Sequence, residues 1–247
     1  MNWVKKITIG VMPIRKMYRV RSFGGQIVDD LITLQLKLLP EDYFGEVMAA
    51  TDGSAYKVSG RQGQNAVHVT QDTVTFARDF YESTDQFNLD KVLAEFRTIW
   101  TAINAALQLQ DVRRIGIVTE YQYNVGTKHP SVWLREKIAP MFGANDHSEK
   151  FLLKFEDRSL TPEGKLPDPK KSVFYNTIFQ IYDSELDADH PKPGFVTTNI
   201  DAQKYYAPVI TGKHVLEEVD KLRRVHDAAT KKLDDQMKKM GALYGER

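Results

Sequence analysis

The clearest pattern in the chain is an amphipathic stretch near its middle. Between Asn88 and Leu109, apolar residues recur every three or four positions, and this spacing places them on one face of a helix. These residues are Val92, Phe96, Ile99, Trp100, Ile103 and Leu107. Asn88 is suited to cap the helix, and Asp90 lies in the first turn, where the helix dipole favours an acid. We therefore predict a helix over 88–109 whose apolar face packs on a sheet.

A second stretch with the same period lies near the C-terminus, from Thr211 to Met240. After a shift of 123 positions, residues 92–107 lie over residues 215–230, and five of the 16 pairs are identical. The apolar stripe of the second helix then continues through Leu233, Met237 and Met240. Exposed apolar residues are usually covered by another surface, and methionine adapts to many surfaces. We expect this tail to contact a second copy or another protein, or to be covered by the N-terminal strands.

The segments before the two helices alternate between apolar and polar residues, as half-buried strands do. Before the first half we predict strands at 6–11 and 16–23. In the first half we predict a strand at Asp30–Leu38, a short helix from 40 to 50, and strands at 55–59, 66–70 and 73–81. In the second half we predict a strand at 113–125, a short helix at 131–139, and strands at 150–157, 173–182 and 195–201. The order strand, helix, three strands, long helix thus occurs twice.

The stretch from Ile27 to Leu38 supports two interpretations. Ile27, Leu31, Leu34 and Leu38 have helical spacing, whereas residues 31–38 also alternate strictly between apolar and polar. We choose the strand because the alternation fits residues 31–38 better.

Together these elements predict an α+β protein, with a mostly antiparallel, twisted sheet and two long helices on one face. We expect a single domain over 1–247, built as a pseudo-twofold repeat of two similar halves, 30–110 and 113–240, with the N-terminal strands 6–23 outside the repeat. The opposite sheet face would carry polar side chains, namely Thr33, Gln35, Lys37, His68, Glu120 and Gln122. Such a face can stay solvated in an antiparallel sheet, or it can be a recognition surface.

Composition narrows the function classes. The 247 residues include no cysteine, which excludes disulfides, thiolate metal sites and cysteine nucleophiles and agrees with a cytoplasmic protein. No apolar run approaches the ~20 residues that span a bilayer, so we expect no membrane contact. The formal net charge of +1 argues against a dedicated nucleic-acid binder.

Residues that could carry chemistry form no recognisable motif. The six histidines are scattered, and no two have the i, i+4 spacing of a zinc-binding helix. No phosphate loop or nucleophile elbow occurs. The acidic loop at 183–190 lacks the glycine that a calcium loop needs at its sharp turn, so we interpret it as a solvated loop. His226 falls where Ile103 lies in the first helix, as expected for a core histidine. We therefore predict no catalytic residue, no metal and no cofactor.

Three stretches carry a resemblance to known proteins. They are QIVDDLITLQLKLLPEDYF at 26–44, RRIGIVTEYQYNV at 113–125, and TTNIDAQKYY at 197–206, which is followed by VLEEVDKLRRVHDAATKKL. They resemble a sporadically distributed family of uncharacterised bacterial proteins of similar length. The resemblance implies no catalytic residues. Since mobile and anti-phage cassettes are distributed in the same patchy way, it also implies a role linked to defence.

Three hypotheses for the function remain open. The first is a non-catalytic binding or interaction protein, an accessory subunit of a bacterial complex, with a protein partner or a second copy of itself. Its contact residues would be Lys37, His68, Glu120, Gln122, Leu233, Met237 and Met240. The second is a nucleic-acid-binding module that uses the open sheet face. The third is an enzyme whose site combines non-adjacent residues such as His68, Arg114 and Glu120. We favour the first hypothesis.

Overall fold

The computed structural model describes residues 4–40, 43–60, 64–81, 86–143, 148–187 and 191–244. The helices in these ranges are α1 (Arg19–Leu38), α2 (Leu89–Leu107), α3 (Pro130–Ile138) and α4 (Val215–Lys239). The strands are β1 (Val4–Pro13), β2 (Glu46–Ala49), β3 (Ala55–Ser59), β4 (Asn65–Thr70), β5 (Val74–Asp79), β6 (Val112–Asn124), β7 (Leu152–Arg158), β8 (Phe174–Asp183), β9 (Phe195–Ile210) and β10 (Leu243–Tyr244). Short 3₁₀ turns follow α3, β8 and β9.

The strands form one antiparallel sheet in the order β2-β3-β4-β5-β1-β6-β9-β8-β7. β1 and β6 are neighbours at the centre, where Gly10 lies opposite Gly116. β10 pairs with the C-terminal end of β6, beyond Tyr121, which lies opposite Val4 at the beginning of β1. The α+β class and the antiparallel sheet predicted from the sequence are therefore confirmed.

Helices cover one face of this sheet. On α2, the ring of Phe96 packs against Phe76 of β5, with 6.2 Å between the ring centroids. On α4, the Thr230 hydroxyl lies 2.8 Å from the Tyr121 hydroxyl of β6. α1 lies beside α2 and over β3, where Gly24 meets the ring of Tyr56. Three long helices thus share this face, in place of the two that the sequence predicts.

Two buried ion pairs join the sheet to α2 and α4. On α2, Glu95 accepts a hydrogen bond of 2.6 Å from Arg78 of β5. On α4, Glu218 accepts a hydrogen bond of 2.5 Å from Lys204 of β9. The two glutamates are 123 positions apart, the same shift that aligns the two helix sequences. A buried charge is tolerated only when it is paired in this way.

Most of the predicted elements agree with the structure within a few residues. These are the strands at 55–59, 66–70 and 73–81 and all helices and strands predicted from residue 88 onward, except that β9 continues to Ile210. The predictions for 16–23 and Asp30–Leu38 are wrong, because most of both segments belongs to α1. Val20, Ile27 and Leu31 are all fully buried, and their spacing is helical. This period extends farther along the chain than the alternation over 31–38.

Two further consequences follow from this correction. The first predicted half cannot begin at residue 30, since that residue lies inside α1. Thr33, Gln35 and Lys37 likewise lie on α1, so they belong to no sheet face. The short helix predicted before residue 50 is also wrong, because Glu46–Ala49 is β2; residues 41 and 42 of that prediction lie outside the described ranges. All four residues of β2 are exposed, so no alternation marks it as a strand.

Candidate binding face

The face of the sheet opposite the helices, called the open face below, carries no helix over its central strands within the described ranges. Side chains of a strand alternate between faces. The pairing register therefore assigns Thr8 of β1, Thr75 of β5, Val118 of β6 and Gln203 of β9 to this face.

A shallow cavity of about 160 Å³, called the central groove below, lies where β1 meets β6. Its lining includes Thr8, Gly10, Thr75, Arg114, Gly116 and Asp201. The groove exists because two glycines face each other across the central strand pair and supply no side chain. A methyl group added to Gly116 would lie 3.5 Å from Oδ1 of Asp201. Both glycines thus keep open a space that larger residues would fill.

Polar side chains on one wall of the groove form a connected network. Gln203 Nε2 donates to Asp201 at 2.5 Å, and the Tyr205 hydroxyl donates to Gln203 Oε1 at 2.9 Å. Arg114 Nη1 donates to the Tyr205 hydroxyl at 3.2 Å. The Tyr205 ring stacks on Phe174 of β8, with 4.7 Å between centroids and 3° between planes. Such a network holds its members in one arrangement and so preorganises the wall for binding.

Asp201 is the acidic group of this wall. Burial raises the pKa of its carboxyl above the ordinary range, although the hydrogen bond from Gln203 and the charge of Arg114 oppose this shift. A partly buried carboxylate beside a guanidinium presents both an acceptor and donors to a ligand. The wall can therefore bind a group that carries both hydrogen-bond donors and acceptors, such as a peptide segment.

A second polar cluster lies farther along the same face, toward the end of β6. The Tyr81 hydroxyl lies between Glu120 and Asp187, 3.1 Å from Oδ2 of the latter. Burial raises the pKa of Tyr182, and the charges of Glu120 and Asp187 raise it further. Gln122 is fully buried in this region, and neither end of its amide has a hydrogen-bond partner among the described residues. Gln122 is therefore unable to act as the surface contact that the sequence predicts.

The residues proposed for an enzyme site do not come together. His68 on β4 is separated from β6 by β5 and β1, so at ~4.8 Å per strand it lies roughly 14 Å from Gly116 directly across the sheet and farther from Arg114 and Glu120. Arg114 and Glu120 are six residues apart on one extended strand, which corresponds to roughly 20 Å. His68 and Glu120 do lie on the open face, as predicted. Their distances rule out a joint catalytic site for the three side chains.

The tail of α4 is not a free apolar stripe. Met237 is fully buried, Leu233 is buried, and Met240 is half-buried. The chain itself therefore covers Leu233 and Met237, and contact of the tail with a partner stays a prediction. The Tyr123 hydroxyl donates to Asp234 at 3.4 Å, which shows that β6 extends as far as the end of the helix. Sequence reasoning judged the extent of the sheet from the first half, whose helix α2 is shorter than α4, and so left the end of α4 without strands beneath it.

Charges on the open face are balanced. By register, its basic side chains are Lys6, Lys57, Arg114, Lys154 and Arg158. As many acidic side chains share the face, namely Glu46, Asp79, Glu120, Glu156 and Asp201. A surface that follows a phosphate backbone needs an excess of basic residues. The open face therefore lacks the electrostatic signature of a nucleic-acid binder.

Two glycines in the sequence mark the position of the groove. Gly10 and Gly116 each interrupt an apolar strand, in ITIGV and RRIGIV, and a glycine inside a strand often marks a close approach. Their direct pairing, however, depends on β1 and β6 being neighbours. Asp201, Gln203 and Tyr205 alternate along β9, a pattern that is visible in the sequence only once β9 is known to extend past residue 201.

Among the described residues, no group of three or more histidine, aspartate or glutamate side chains could hold a metal ion. None of the helices in those same ranges is long and apolar enough to cross a membrane. Comparison with protein families finds no match for the chain, and comparison with curated proteins finds none either.

Proposed function

We propose that this is a non-catalytic binding protein that holds a protein partner in the central groove of its open face. It would serve as an accessory subunit of a bacterial complex. The observation that carries the proposal is the groove between Gly10 and Gly116, with the ordered wall of Arg114, Gln203 and Tyr205 beside it. Tyrosine and arginine are the residues that most often dominate binding at protein interfaces.

The balanced charge of the open face favours a polypeptide over a nucleic acid. Direct contact with phosphates would require basic residues that acidic neighbours do not neutralise. In this groove, Arg114 and Asp201 both belong to the lining, so the basic side chain is balanced by an acidic one. A peptide backbone supplies both donors and acceptors, and two opposed glycines let it approach the sheet closely.

We further infer that the chain consists of two similar halves that begin at β1 and β6, so the first half begins near residue 4 rather than at residue 30, whereas the start of the second half remains as predicted. Each half would run strand, helix, strands, long helix. The buried glutamates Glu95 and Glu218 support this inference, as does the ion pair between Arg97 of α2 and Asp220 of α4. Those two residues are also 123 positions apart, so equivalent positions meet, as they do next to a twofold axis. The groove would then lie where the halves join.

The resemblance to sporadically distributed bacterial proteins supports a role linked to anti-phage defence. The lack of cysteine agrees with a reducing, cytoplasmic compartment. Both statements concern the setting of the protein, and neither is needed for the groove to bind a partner.

Affinity capture from the native host tests the proposal. We expect the wild-type chain to retain a specific protein, and Thr75→Trp to lose it because the indole fills the groove. Lys57→Trp is the matched control, since it places the same ring on the same face two strands away, at an exposed position. Retention of the same partners by Thr75→Trp would contradict the proposal. Salt-dependent binding of DNA or RNA that Thr75→Trp abolishes would overturn it in favour of a nucleic-acid ligand.

A further inference from the structure

The two ends of the sheet differ in what they offer to another chain. β2 ends one side with four residues, whereas β7 ends the other with seven, Leu152–Arg158. Within the described part of the chain, β7 pairs with β8 alone. All its residues except Leu153 are exposed, and Phe155 is 43% exposed. An exposed strand edge is a ready template for another strand.

The backbone groups that β7 directs outward can be identified from its pairing with β8. Ser159 N donates to Tyr175 O, and Asp183 N donates to Phe151 O, so odd-numbered residues of β7 bond to β8. In an antiparallel ladder, alternate residues direct their N–H and C=O groups to opposite sides. The even-numbered residues, Lys154 and Glu156 among them, therefore direct their backbone groups away from the sheet.

Pairing of β7 with the same strand of a second copy is restricted by these groups. Two antiparallel copies must place even-numbered residues opposite even-numbered residues. When the pairing is centred on Phe155, the two Phe155 side chains lie opposite each other. Lys154 of each copy then lies opposite Glu156 of the other copy, so this charge pair occurs twice. A shift in one direction sets Lys154 opposite Lys154, and a shift in the other sets Glu156 opposite Glu156. Opposite charges stabilise a cross-strand pair and like charges destabilise it.

We propose that the protein forms a twofold dimer through β7, in the register centred on Phe155. Charged residues on an edge strand normally prevent pairing with other chains. Here the charges oppose a generic apolar strand but match a second copy of this chain in one register, so they select the partner. The stacking of Phe155 on Phe179, at 5.1 Å between centroids, holds the ring in place for the central contact.

The dimer would join two sheets into one and leave both central grooves free. Each groove lies four strand spacings from the twofold axis, so the two would be roughly 40 Å apart on the same side at ~4.8 Å per strand. The dimer would therefore be able to bind a partner at two points. The dimer itself does not depend on what the groove binds.

Charge-swapped variants test the dimer. Sedimentation equilibrium of the full chain should show a monomer–dimer equilibrium. Lys154→Glu and Glu156→Lys should each weaken the dimer at least about tenfold, because two attractive pairs become repulsive. Mixing the two single variants should restore a dimer that contains one chain of each, and the double variant Lys154→Glu/Glu156→Lys should dimerise with itself.

Two controls keep this test decisive. Lys57→Glu reverses an exposed charge on β3 and should leave the dimer unchanged. Lys154→Pro removes the lysine charge together with an outward N–H, which the single chain does not use, and should give a folded monomer. A wild-type chain that stays monomeric at high concentration would overturn the inference. A dimer that the single charge reversals leave intact would overturn it as well.

Discussion

The adjacent glycines of α1 provide a sharp test of the fold, because the structure assigns them opposite roles. Gly24 faces β3, and a methyl group added there would overlap the ring carbons of Tyr56. Gly25 faces solvent, and a methyl group there would meet nothing within 4 Å. In a helix, alanine is more stable than glycine by about 1 kcal/mol. We therefore expect Gly25→Ala to stabilise the protein by about that amount.

Gly24→Ala should gain the same stability from the higher helix propensity of alanine, but it should lose more stability through the clash with Tyr56. Overpacking a filled contact usually costs about 1–3 kcal/mol, so the net change should be a destabilisation. Urea unfolding followed by circular dichroism measures both variants against wild type. If both alanines stabilise equally, α1 does not pack on Tyr56. If both destabilise, residues 19–38 are not a helix, and the strand that the sequence suggested regains support.

Three further predictions concern the core. Arg78→Met should destabilise the protein by about 3–5 kcal/mol in urea unfolding because it leaves the buried Glu95 carboxylate with its hydrogen bond from the Tyr43 hydroxyl but without the charge of Arg78. Arg78→Met with Glu95→Gln, which keeps an acceptor for Tyr43, should restore most of the loss, and equal losses would refute the pairing. His226 is buried, and its polar contact is with Asp227, whose Oδ1 lies 3.6 Å from Nδ1, beyond hydrogen-bond distance. Because this long contact with a half-exposed carboxylate does not offset the burial of the ring, His226→Ile, the residue found at Ile103, should raise stability by about 1 kcal/mol, and a lower melting temperature would count against this. Burial raises the pKa of Glu218, but hydrogen bonds from two lysines outweigh burial and lower it below 4.5. The stability it contributes is therefore present at neutral pH and lost as the pH falls through the lowered pKa, so acid titration should destabilise wild type more than Glu218→Gln, and parallel curves would contradict this.

The parts of the fold that the sequence predicts well are half-buried elements with one clear period. α2 and β6 each bury one face, so their apolar residues recur at 3.6 or 2 residues, and both were placed within a few residues. β2 is exposed throughout and has no such pattern, and it was assigned to a helix. Periodicity identifies an element only when one of its faces is buried.

α1 was missed because its glycines look like a turn when they are considered alone. Gly24 is required by contact with Tyr56, a residue 32 positions away, and local sequence carries no record of that contact. The same limit applies to the candidate site. The groove depends on Gly10 meeting Gly116, and the contact of Tyr123 with Asp234 depends on how α4 crosses the sheet. These contacts are long-range, so propensity and pattern could not predict them.

The central claim is that a polypeptide occupies the groove of the open face. An aliphatic diazirine amino acid at Val118, which lines the groove, is close in size to the native side chain and tests this most directly when it is irradiated in the native host. The account predicts a crosslink to one specific protein at Val118, and no crosslink to that protein from the same group at Lys57. Crosslinking to nucleic acid at Val118, or identical products at both positions, would contradict it.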